Sequence, residues 1–600
     1  QYTTQTMKSL LTAIFFLTSY LSIFSQEKSF VQQYNRYFEN SREVPYLHLN
    51  KTSFIVGEEI WFKAYVLEQN SQKLHEATSN LYISIFDQDG ILKNQQLFKI
   101  NNGMGKGNIK IDSTYTGNSY YIKASTNWMK NFHKDNSFVE KIEIVSNKKK
   151  QAASSLNQDK FYEFKLFPEG GHILSETMNN LGILIKNKKN KGMRVEKGII
   201  KNKNGEIIKK FTTNRFGLGD VNIFFDNNEI YTFEATLQNG IVISQKTSAP
   251  KSIGVNIRVT NSNPENLFIT VKTNKKSLAN LNSKTYSLFV HNTNSYYKQD
   301  FKLDSWNTNY SLIVNKKNVA KGVNTITIFN ENHKPILERI IYIHKEELYS
   351  NISINKINFT KDSLTFQIKN NSTNKLFLSS SFLPADTKAY NETNNIYNSF
   401  IFRPYIKGNV DNIDYYLNNV DHKKLRDLDL LLLTQGWSKY NWDDIFNSTP
   451  QINHKFENGI TITGKLPKSL RNKEKLLVYS GENELLQLLK PINKKFELPN
   501  TNIYEDSYIK FRISGRGKKT YKILPVLQFS KRTLYDKLPE VYLNNSQNTK
   551  ELDFVLKNVT TTFRDTEILD EVEITKKRDY NETDDLPFGA DVFYTRKQMK

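Results

Sequence analysis

Apolar and polar residues alternate in short runs along most of the chain, a pattern typical of β-strands that bury one face. One clear run, IWFKAYVLE, begins at Ile60. The segment NLYISIFDQDGILKNQQLFKI contains two more, joined at Asp89-Gly90, a dipeptide that favours a hairpin turn. Together with GKGNIKID, NSYYIKASTNW and FVEKIEIV, these runs predict a β-sandwich of about seven strands over residues 45–147. Ahead of it, SFVQQYNRYFEN predicts a helical lead-in within residues 26–44.

The alternating pattern restarts several times after a Lys-rich linker at 147–160, and each restart predicts another domain. A second hairpin is predicted at Asn204-Gly205. The predicted units are a second sandwich at 160–249, a third at 251–346, a fourth at 349–450 with a helical insertion near 411–446, a fifth at 456–530, and a linker at 545–600. The insertion is predicted because apolar residues there follow helical spacing. We therefore predict an all-β protein of tandem immunoglobulin-like sandwiches with one helical insertion.

The amino terminus has the pattern of a secretory signal peptide at residues 7–25. Met7-Lys8 is followed by the apolar stretch LLTAIFFLTSYLSIF and then by Ser25-Gln26. The 600-residue chain contains no cysteine, so disulfides, thiolate metal sites and a lipid-attachment cysteine are excluded. We expect an exported protein of the periplasm or outer membrane.

The composition favours folded domains and gives no sign of nucleic-acid binding. Apolar residues make up 38% of the chain and aromatic residues 12%, which is enough to build several cores. The formal net charge is +23, but the lysines are spread along the whole chain. We interpret them as a solvated surface, with peripheral association with anionic lipid or polysaccharide as the alternative.

Motifs that carry catalysis or metal binding are missing from the sequence. The nine histidines form no His-x-x-x-His pair, and no Gly-x-Ser-x-Gly elbow occurs. GMGKGN at 103–108 lacks the Gly-Lys-Ser/Thr of a phosphate loop, and DQDG at 87–90 lacks the Glu that a calcium loop needs. We predict no catalytic residue, no cofactor and no metal, and therefore a protein that is not an enzyme.

Several motifs, in their order along the chain, resemble those of exported Bacteroidota proteins with macroglobulin-type domains. They are YLHLNKTSFIVGEEIWFKAYV, SYYIKASTNWMKNF, FPEGG at Phe167–Gly171, LLLTQGWSKYNWDDI, a carboxypeptidase-regulatory-like sandwich at 456–528, and LDEVEITKK at 569–577. The last segment is similar to the one that precedes the plug domain of TonB-dependent receptors. The resemblance implies macroglobulin-type sandwiches. It leaves open whether the chain continues into a plug domain.

The signature residues of this resemblance are interpreted as structural. They are Trp61, Phe62, Lys63, Tyr65, Trp128, Phe167, Pro168, Glu169, Gly170, Gly171, Gln435, Gly436 and Trp437. We expect Trp61 and its neighbours to belong to a core, rather than to a ligand platform, and Trp128 with Met129 to cap that core. FPEGG is expected at a strand entry or a domain junction, where Glu169 could pair with a lysine. Trp437 and Trp442 are expected to anchor a helix to a sheet, the alternative being sugar binding.

Two functions follow from these observations. The first is a non-enzymatic envelope module that binds a protein partner along sandwich edges, within a TonB-dependent uptake or assembly system. The second is a macroglobulin-like endopeptidase inhibitor. Since the chain has no cysteine, such an inhibitor would lack the thioester and would need an exposed bait loop, for which NETNNIYNSFIFRPYIKGN at 391–409 is the candidate.

Overall fold

The computed structural model describes residues 29–529 and 536–539, apart from 118, 146–161, 188–190, 282, 345–349, 361–362, 374, 392–394, 408–409, 411, 437, 505 and 516–519. The predicted signal peptide at 7–25 and the linker at 545–600, with its segment 569–577, lie outside this range. Within the described part, no helix combines the length and apolarity needed to cross a bilayer.

The predicted lead-in helix is confirmed as α1, and the first sandwich follows it directly. The elements are α1 (Phe30–Phe38), β1 (Glu43–Leu49), β2 (Ser53–Ile55), β3 (Glu59–Glu68), β4 (Lys73–Leu74), β5 (Asn80–Asp87), β6 (Leu92–Lys99), β7 (Met104–Lys110), β8 (Ser119–Ser125) and β9 (Phe138–Val145). One sheet contains β1, β3, β4 and β7, and the other is ordered β2-β9-β8-β5-β6. The predicted Asp89-Gly90 hairpin is confirmed, since β5 and β6 pair antiparallel on either side of it.

The second and third sandwiches each place a three-stranded sheet against a four-stranded one. Their elements are β10 (Tyr162–Pro168), β11 (Thr177–Asn187), β12 (Lys197–Lys201), β13 (Ile207–Phe211), β14 (Leu218–Phe225), β15 (Thr232–Thr236), β16 (Val242–Lys246), β17 (Val255–Thr260), β18 (Asn266–Thr273), α2 (Lys275–Leu281), β19 (Thr285–His291), β20 (Tyr296–Lys302), β21 (Asn309–Asn315), β22 (Gly322–Phe329) and β23 (Pro335–Ile343). The second has sheets β10-β11-β14 and β13-β12-β15-β16, and the third has β17-β18-β21 and β20-β19-β22-β23. The Asn204-Gly205 hairpin is confirmed between β12 and β13.

The region predicted as a fourth sandwich contains one hairpin and several helical turns in its described residues. The hairpin pairs β24 (Ile352–Phe359) with β25 (Leu364–Asn370). A π-helical turn (Asn398–Phe402) and the helices α3 (Ile413–Leu417), α4 (His422–Leu433) and α5 (Trp442–Asn447) follow, which confirms the helical insertion. The chain after the hairpin turns helical and packs on the third sandwich. Among the described strands, no second sheet therefore faces the hairpin to make the predicted fourth sandwich.

The last sandwich is confirmed as strands and attaches to the first one. It contains β26 (Ile460–Lys465), β27 (Lys475–Ser480), β28 (Leu485–Leu489), β29 (Lys495–Thr501), β30 (Lys510–Ser514), β31 (Thr520–Lys522) and β32 (Val526–Phe529), in sheets β29-β26-β32 and β28-β27-β30-β31. The Asn80 side chain donates to the Gly459 carbonyl and accepts from the Gly459 N–H, both at 2.8 Å. These two bonds fix the start of the last sandwich against β5.

Helix α1 joins the third sandwich to the helical segment through an aromatic cluster. Its buried residues recur at helical spacing, which places Phe30, Tyr34 and Phe38 on one face. The ring of Phe30 stacks on Phe329 of β22 at a centroid distance of 4.3 Å. Trp442 of α5 meets Phe329 edge-on at 4.6 Å, which confirms its predicted role in anchoring a helix to a sheet.

A buried carboxylate, Glu169, lies at the junction of the second and third sandwiches. Its Oε1 accepts hydrogen bonds from Nε of Arg339 and from the backbone N–H of Val259, both at 3.1 Å. Its Oε2 accepts from the Asn180 side chain at 3.0 Å and lies 3.6 Å from Arg258. Burial raises the pKa of Glu169, while Arg339 and Arg258 act in the opposite direction. The carboxylate thus ties β10–β11 to both edge strands of the third sandwich.

Helix α4 covers this junction and completes its charge pairing. Nη2 of Arg339 donates to the Asp429 carboxylate of α4 at 2.7 Å, so Arg339 bridges two carboxylates. Leu433 of α4 lies against Gly182 of β11, where a Cβ atom would come within 2.8 Å of it. Glycine at this position therefore lets the helix approach the sheet closely.

We predict that Glu169→Gln lowers the free energy of unfolding by about 3 kcal/mol, because it removes the negative charge from beside the buried guanidinium of Arg339. Urea denaturation followed by circular dichroism measures the loss. The matched control is Glu163→Gln, whose more exposed carboxylate pairs with Lys165 at 2.5 Å and should cost less than about 1 kcal/mol. Equal effects of the two substitutions would contradict a central role for Glu169.

Candidate functional site

The signature residues of β3 divide between the core and the surface. Phe62 and Tyr65 are buried, and Phe62 meets Phe98 edge-on at 4.8 Å. Lys63, which lies between Phe62 and Tyr65 in the sequence, is half-buried. Trp61 is 55% exposed, so the prediction that it belongs to the core is wrong. The reason is strand parity: Trp61 lies on the face opposite Phe62, and that face of the sheet is open to solvent at this position.

Trp128 and Met129 are buried, but Trp128 makes its main ring contact outside the first sandwich. Its indole stacks on Phe456, which precedes the last sandwich, at 3.9 Å and 15°. The indole N–H donates to the Ser41 carbonyl at 2.8 Å. Trp128 therefore helps to join the first and last sandwiches. The expectation that it caps the core of the first sandwich is corrected accordingly.

FPEGG forms the predicted domain junction, and the LTQGW segment lies beside it. Gly170 and Gly171 have φ values of 87° and 97°, which favour glycine. The partners of Glu169 are arginines and a peptide N–H, so the expected lysine partner is wrong. A Cβ atom on Gly436 would lie 3.6 Å from Phe167, and Gln435 follows the end of helix α4, with its N–H bonded to the Leu432 carbonyl at 3.3 Å. Trp437 lies outside the described residues.

The first three sandwiches share one seven-strand topology, to which the first adds β2 and β4, so their edges can be compared directly. In each, the first strand lies at the edge of one sheet and the last strand lies at or near the edge of the other. The first and last strands are β1 and β9, β10 and β16, and β17 and β23. We call the gap between such a pair of strands a seam. A seam presents unpaired backbone groups unless another segment covers it.

The seams of the first and third sandwiches are occupied by other segments of this chain, a strand in the first and a turn in the third. In the first, β2 pairs in parallel with the free edge of β9. In the third, Gly170 forms an antiparallel bridge with Glu338 of β23. A Cβ atom on Gly170 would lie 2.6 Å from Ile257 of β17 and 2.9 Å from Leu337 of β23, so the backbone passes between these two strands.

The seam of the second sandwich is an open groove of about 790 Å³. No strand among the described residues pairs with the outer edge of β10 or of β16. One end is closed by a hydrogen bond of 3.1 Å from Asn239 to the Tyr162 hydroxyl. The groove is lined by residues 162–168, Ile173, Leu181 and residues 243–248. It is therefore the one seam of the three that the described chain leaves unfilled.

The peptide groups facing this groove can be assigned from the two strand ladders. Glu169 N–H bonds to the Asn180 carbonyl, and hydrogen-bonded pairs alternate along an antiparallel ladder. The N–H groups of Phe164 and Leu166 consequently face the open edge of β10. By the same argument from the Thr247–Tyr231 bond, Val242, Ser244 and Lys246 face the open edge of β16. Both walls of the groove are therefore prepared to pair with an added strand.

The floor of the groove is apolar and its rim carries lysines. Tyr162, Leu166 and Ile243 pack on the core of the second sandwich and remain partly exposed. Lys165 on one rim and Lys246 on the other are exposed. An extended segment would complete the core with apolar residues on its inner face and would place its outer face between these lysines.

Sequence reasoning identified β10 but missed β16. The signal was present, since Ile241, Val242 and Ile243 form a β-branched run between Gly240 and Pro250. The short length of this run and its polar end made it less distinct than the strands before it.

The candidate bait loop at 391–409 forms helical turns at 396–402 and is buried or half-buried over most of its described part. Asn398, Ser399 and Phe402 are fully buried, and Tyr405 and Ile406 join the cluster that packs against the third sandwich. The prediction of an exposed, loop-like segment is therefore wrong for residues 395–407. Its aromatic and aliphatic residues follow helical spacing and cover an apolar sheet face.

A second buried carboxylate, that of Glu43, lies among polar side chains in the first sandwich. The hydroxyls of Thr78 and Thr126 donate to its carboxylate, and His75 lies 3.8 Å from it. His75 also contacts Ser41 at 2.9 Å. Burial raises the pKa of Glu43 to about 7 and lowers the pKa of His75. In the described residues, no group of three or more His, Asp or Glu side chains is arranged to hold a metal ion.

Comparisons with known proteins were made for both sequence and structure. No family model matches the sequence, and no curated protein matches it. Similar solved structures include dimeric latent PorU from Porphyromonas gingivalis, with 9% identity, a TM-score of 0.25, and coverage of 50% of this chain and 34% of that one. Elastase-activated alpha-2-macroglobulin from Escherichia coli has 10% identity, a TM-score of 0.21, and coverage of 81% and 53%. A tetra-tandem repeat from a large adhesion protein has 10% identity, a TM-score of 0.13, and coverage of 82% and 99%.

This chain spans about a third of the length of PorU and about half of that alpha-2-macroglobulin chain. At TM-scores of this size, the matches decide neither function nor partner. The class of this protein rests on its own sheets: it is a tandem β-sandwich protein with a helical insertion.

We predict that the stability of the protein falls as the pH rises through the window set by Glu43. Its folded-state pKa of about 7 lies above the ordinary 4.5, so the stability that protonated Glu43 provides is complete below 4.5 and lost as the pH rises through 7. In Glu43→Gln, the fall in the free energy of unfolding across this pH window should be smaller by about 3 kcal/mol, as measured by urea denaturation at successive pH values. The exposed control Glu76→Gln should leave the slope unchanged. An unchanged slope in Glu43→Gln would contradict the burial of an ionisable group at this position.

Proposed function

We propose that this protein is a non-enzymatic binding module that holds an extended segment of a protein partner in the groove of the second sandwich. The carrying observation is the comparison of the three seams. Two are filled by backbone of this chain, as the strand β2 in the first sandwich and as the turn at Gly170 in the third, whereas the seam of the second sandwich presents unpaired peptide groups above an apolar floor. A β-strand added to β10 or β16 would satisfy those groups, with the backbone supplying affinity and alternate side chains supplying specificity.

The cellular setting proposed for this module is the bacterial cell envelope. The pattern at residues 7–25 supports export, and the similarity of 569–577 to a pre-plug segment supports TonB-dependent outer-membrane machinery as the partner system. The proposed partner is a protein, with no role for nucleic acid, cofactor or metal. Peripheral association with the membrane is compatible with the basic charge.

The test removes one peptide N–H from the groove without touching the sheet behind it. Ser244→Pro deletes the N–H that faces the open edge of β16, and proline is tolerated on an edge strand. Ser244→Ala keeps the N–H and is the matched control. The probe is the tightest binder from a displayed library of peptides with alternating apolar and polar residues, and its affinity is measured by calorimetry.

We expect the peptide to bind Ser244→Pro at least about tenfold more weakly than wild type. A tenfold loss of affinity matches the net free energy of one hydrogen bond between the peptide and the edge strand. Ser244→Ala should bind within about twofold of wild type. Circular dichroism confirms that both variants are folded. Equal binding by all three proteins would refute the groove as the binding site.

The alternative function is a macroglobulin-like endopeptidase inhibitor without a thioester. It would need a segment that proteases cleave in the folded protein, and residues 395–407 are largely buried. We predict that a panel of proteases at low dose will not cleave selectively within 395–407, as read by mass spectrometry of the fragments. Rapid selective cleavage there, together with loss of protease activity, would favour the inhibitor.

A further inference from the structure

We infer that residues 569–575 of this chain, LDEVEIT, bind in the groove of the second sandwich as an added β-strand. This inference rests on the proposed function of the groove and names the segment that fills it. The occupant would be internal to the molecule, as are the segments that fill the other two seams.

The groove selects for a particular alternation of side chains. Its apolar floor, formed with Leu166 and Ile243, requires apolar residues at every second position of an added strand. Its rims carry Lys165 and Lys246, which favour acidic residues at the intervening positions. Lys165 already pairs with Glu163, so Lys246 is the rim cation with the clearer need for an acidic neighbour.

LDEVEIT has this alternation. Val572 and Ile574 share one parity, and Glu571 and Glu573 share the other. Added to the groove, Val572 and Ile574 would face the floor while Glu571 and Glu573 would face the lysine rims. Both apolar residues are β-branched, which favours an extended backbone.

The length of chain before this segment permits it to reach the groove. The last described residues, 536–539, are held on the first sandwich by an ion pair of 2.6 Å between Asp536 and Lys123 and by the buried side chain of Leu538. From Pro539 to Leu569 there are 569 − 539 = 30 residues. Extended, they span about 100 Å, against a radius of gyration of about 25 Å for a compact chain of 600 residues.

Engineered disulfides test this placement in the full chain, which has no cysteine of its own. Ser244→Cys is combined with Glu573→Cys, or with Glu571→Cys to allow for a shifted register. Outer-face residues on neighbouring strands have the Cα separation that a disulfide needs. The matched control combines Glu573→Cys with Asn204→Cys, an exposed position on the distant β12–β13 turn.

On mild oxidation of dilute protein, we expect one of the Ser244 pairs to close within the monomer at least about tenfold faster than the Asn204 pair. Adding Val572→Asp and Ile574→Asp should reduce the rate to the control level, because charged residues cannot occupy the apolar floor. Equal rates for the Ser244 and Asn204 pairs would overturn the inference. So would a disulfide that forms only between monomers and in proportion to concentration, which would assign the groove to a second copy.

The outcome is separable from that of the proposed function. With Val572→Asp and Ile574→Asp in place, added peptides should bind the groove more tightly, since an internal competitor is gone. If peptides bind wild type in a manner sensitive to Ser244→Pro but the disulfides do not form, the groove binds partners and this segment is not its occupant. If neither is observed, both proposals fail.

Discussion

Burial of the Glu169 carboxylate between two arginines and a peptide N–H constrains the relative placement of the second and third sandwiches. A carboxylate removed from water needs every hydrogen bond it can make, and here the partners come from β11, β17 and β23. Arg339 in turn needs Asp429, so helix α4 must lie over the junction. One charged group therefore positions two sandwiches and the helical segment, and its removal leaves the buried Arg339 with one of its two carboxylates.

The same junction explains why the seam of the third sandwich is filled. To bring Glu169 between β17 and β23, the backbone that follows must pass between their side chains, which only glycine at position 170 permits. The connection from β10 to β11 is thus used by the neighbouring domain. In the first sandwich the corresponding connection forms β2 and covers its own edge strand. The second sandwich gives its connection away, and none of the described residues fills its own seam.

This arrangement gives the open groove a physical origin in the order of the domains. A connection between two strands can fill only one seam. Where it fills the seam of the next sandwich, as the β10–β11 connection does, it cannot fill the seam of its own sandwich. The groove has paired ladders behind both walls and partly exposed core residues at its floor. It is therefore a preformed site for extended backbone, which lowers the entropy cost of binding a strand there.

The sequence by itself determined the strand-rich class, the two hairpins at Asp89-Gly90 and Asn204-Gly205, the lead-in helix and the helical insertion. These depend on periodicity and turn residues, which are local properties. It also placed FPEGG at a junction, because proline and paired glycines restrict or release the backbone locally. Tertiary structure alone decided that Trp61 faces solvent, that Glu169 pairs with arginines, that much of 395–407 is buried, and that one seam of three has no occupant among the residues the structure describes. Each of these depends on residues far apart in the chain, since burial and charge pairing are set by which surfaces meet when the domains pack.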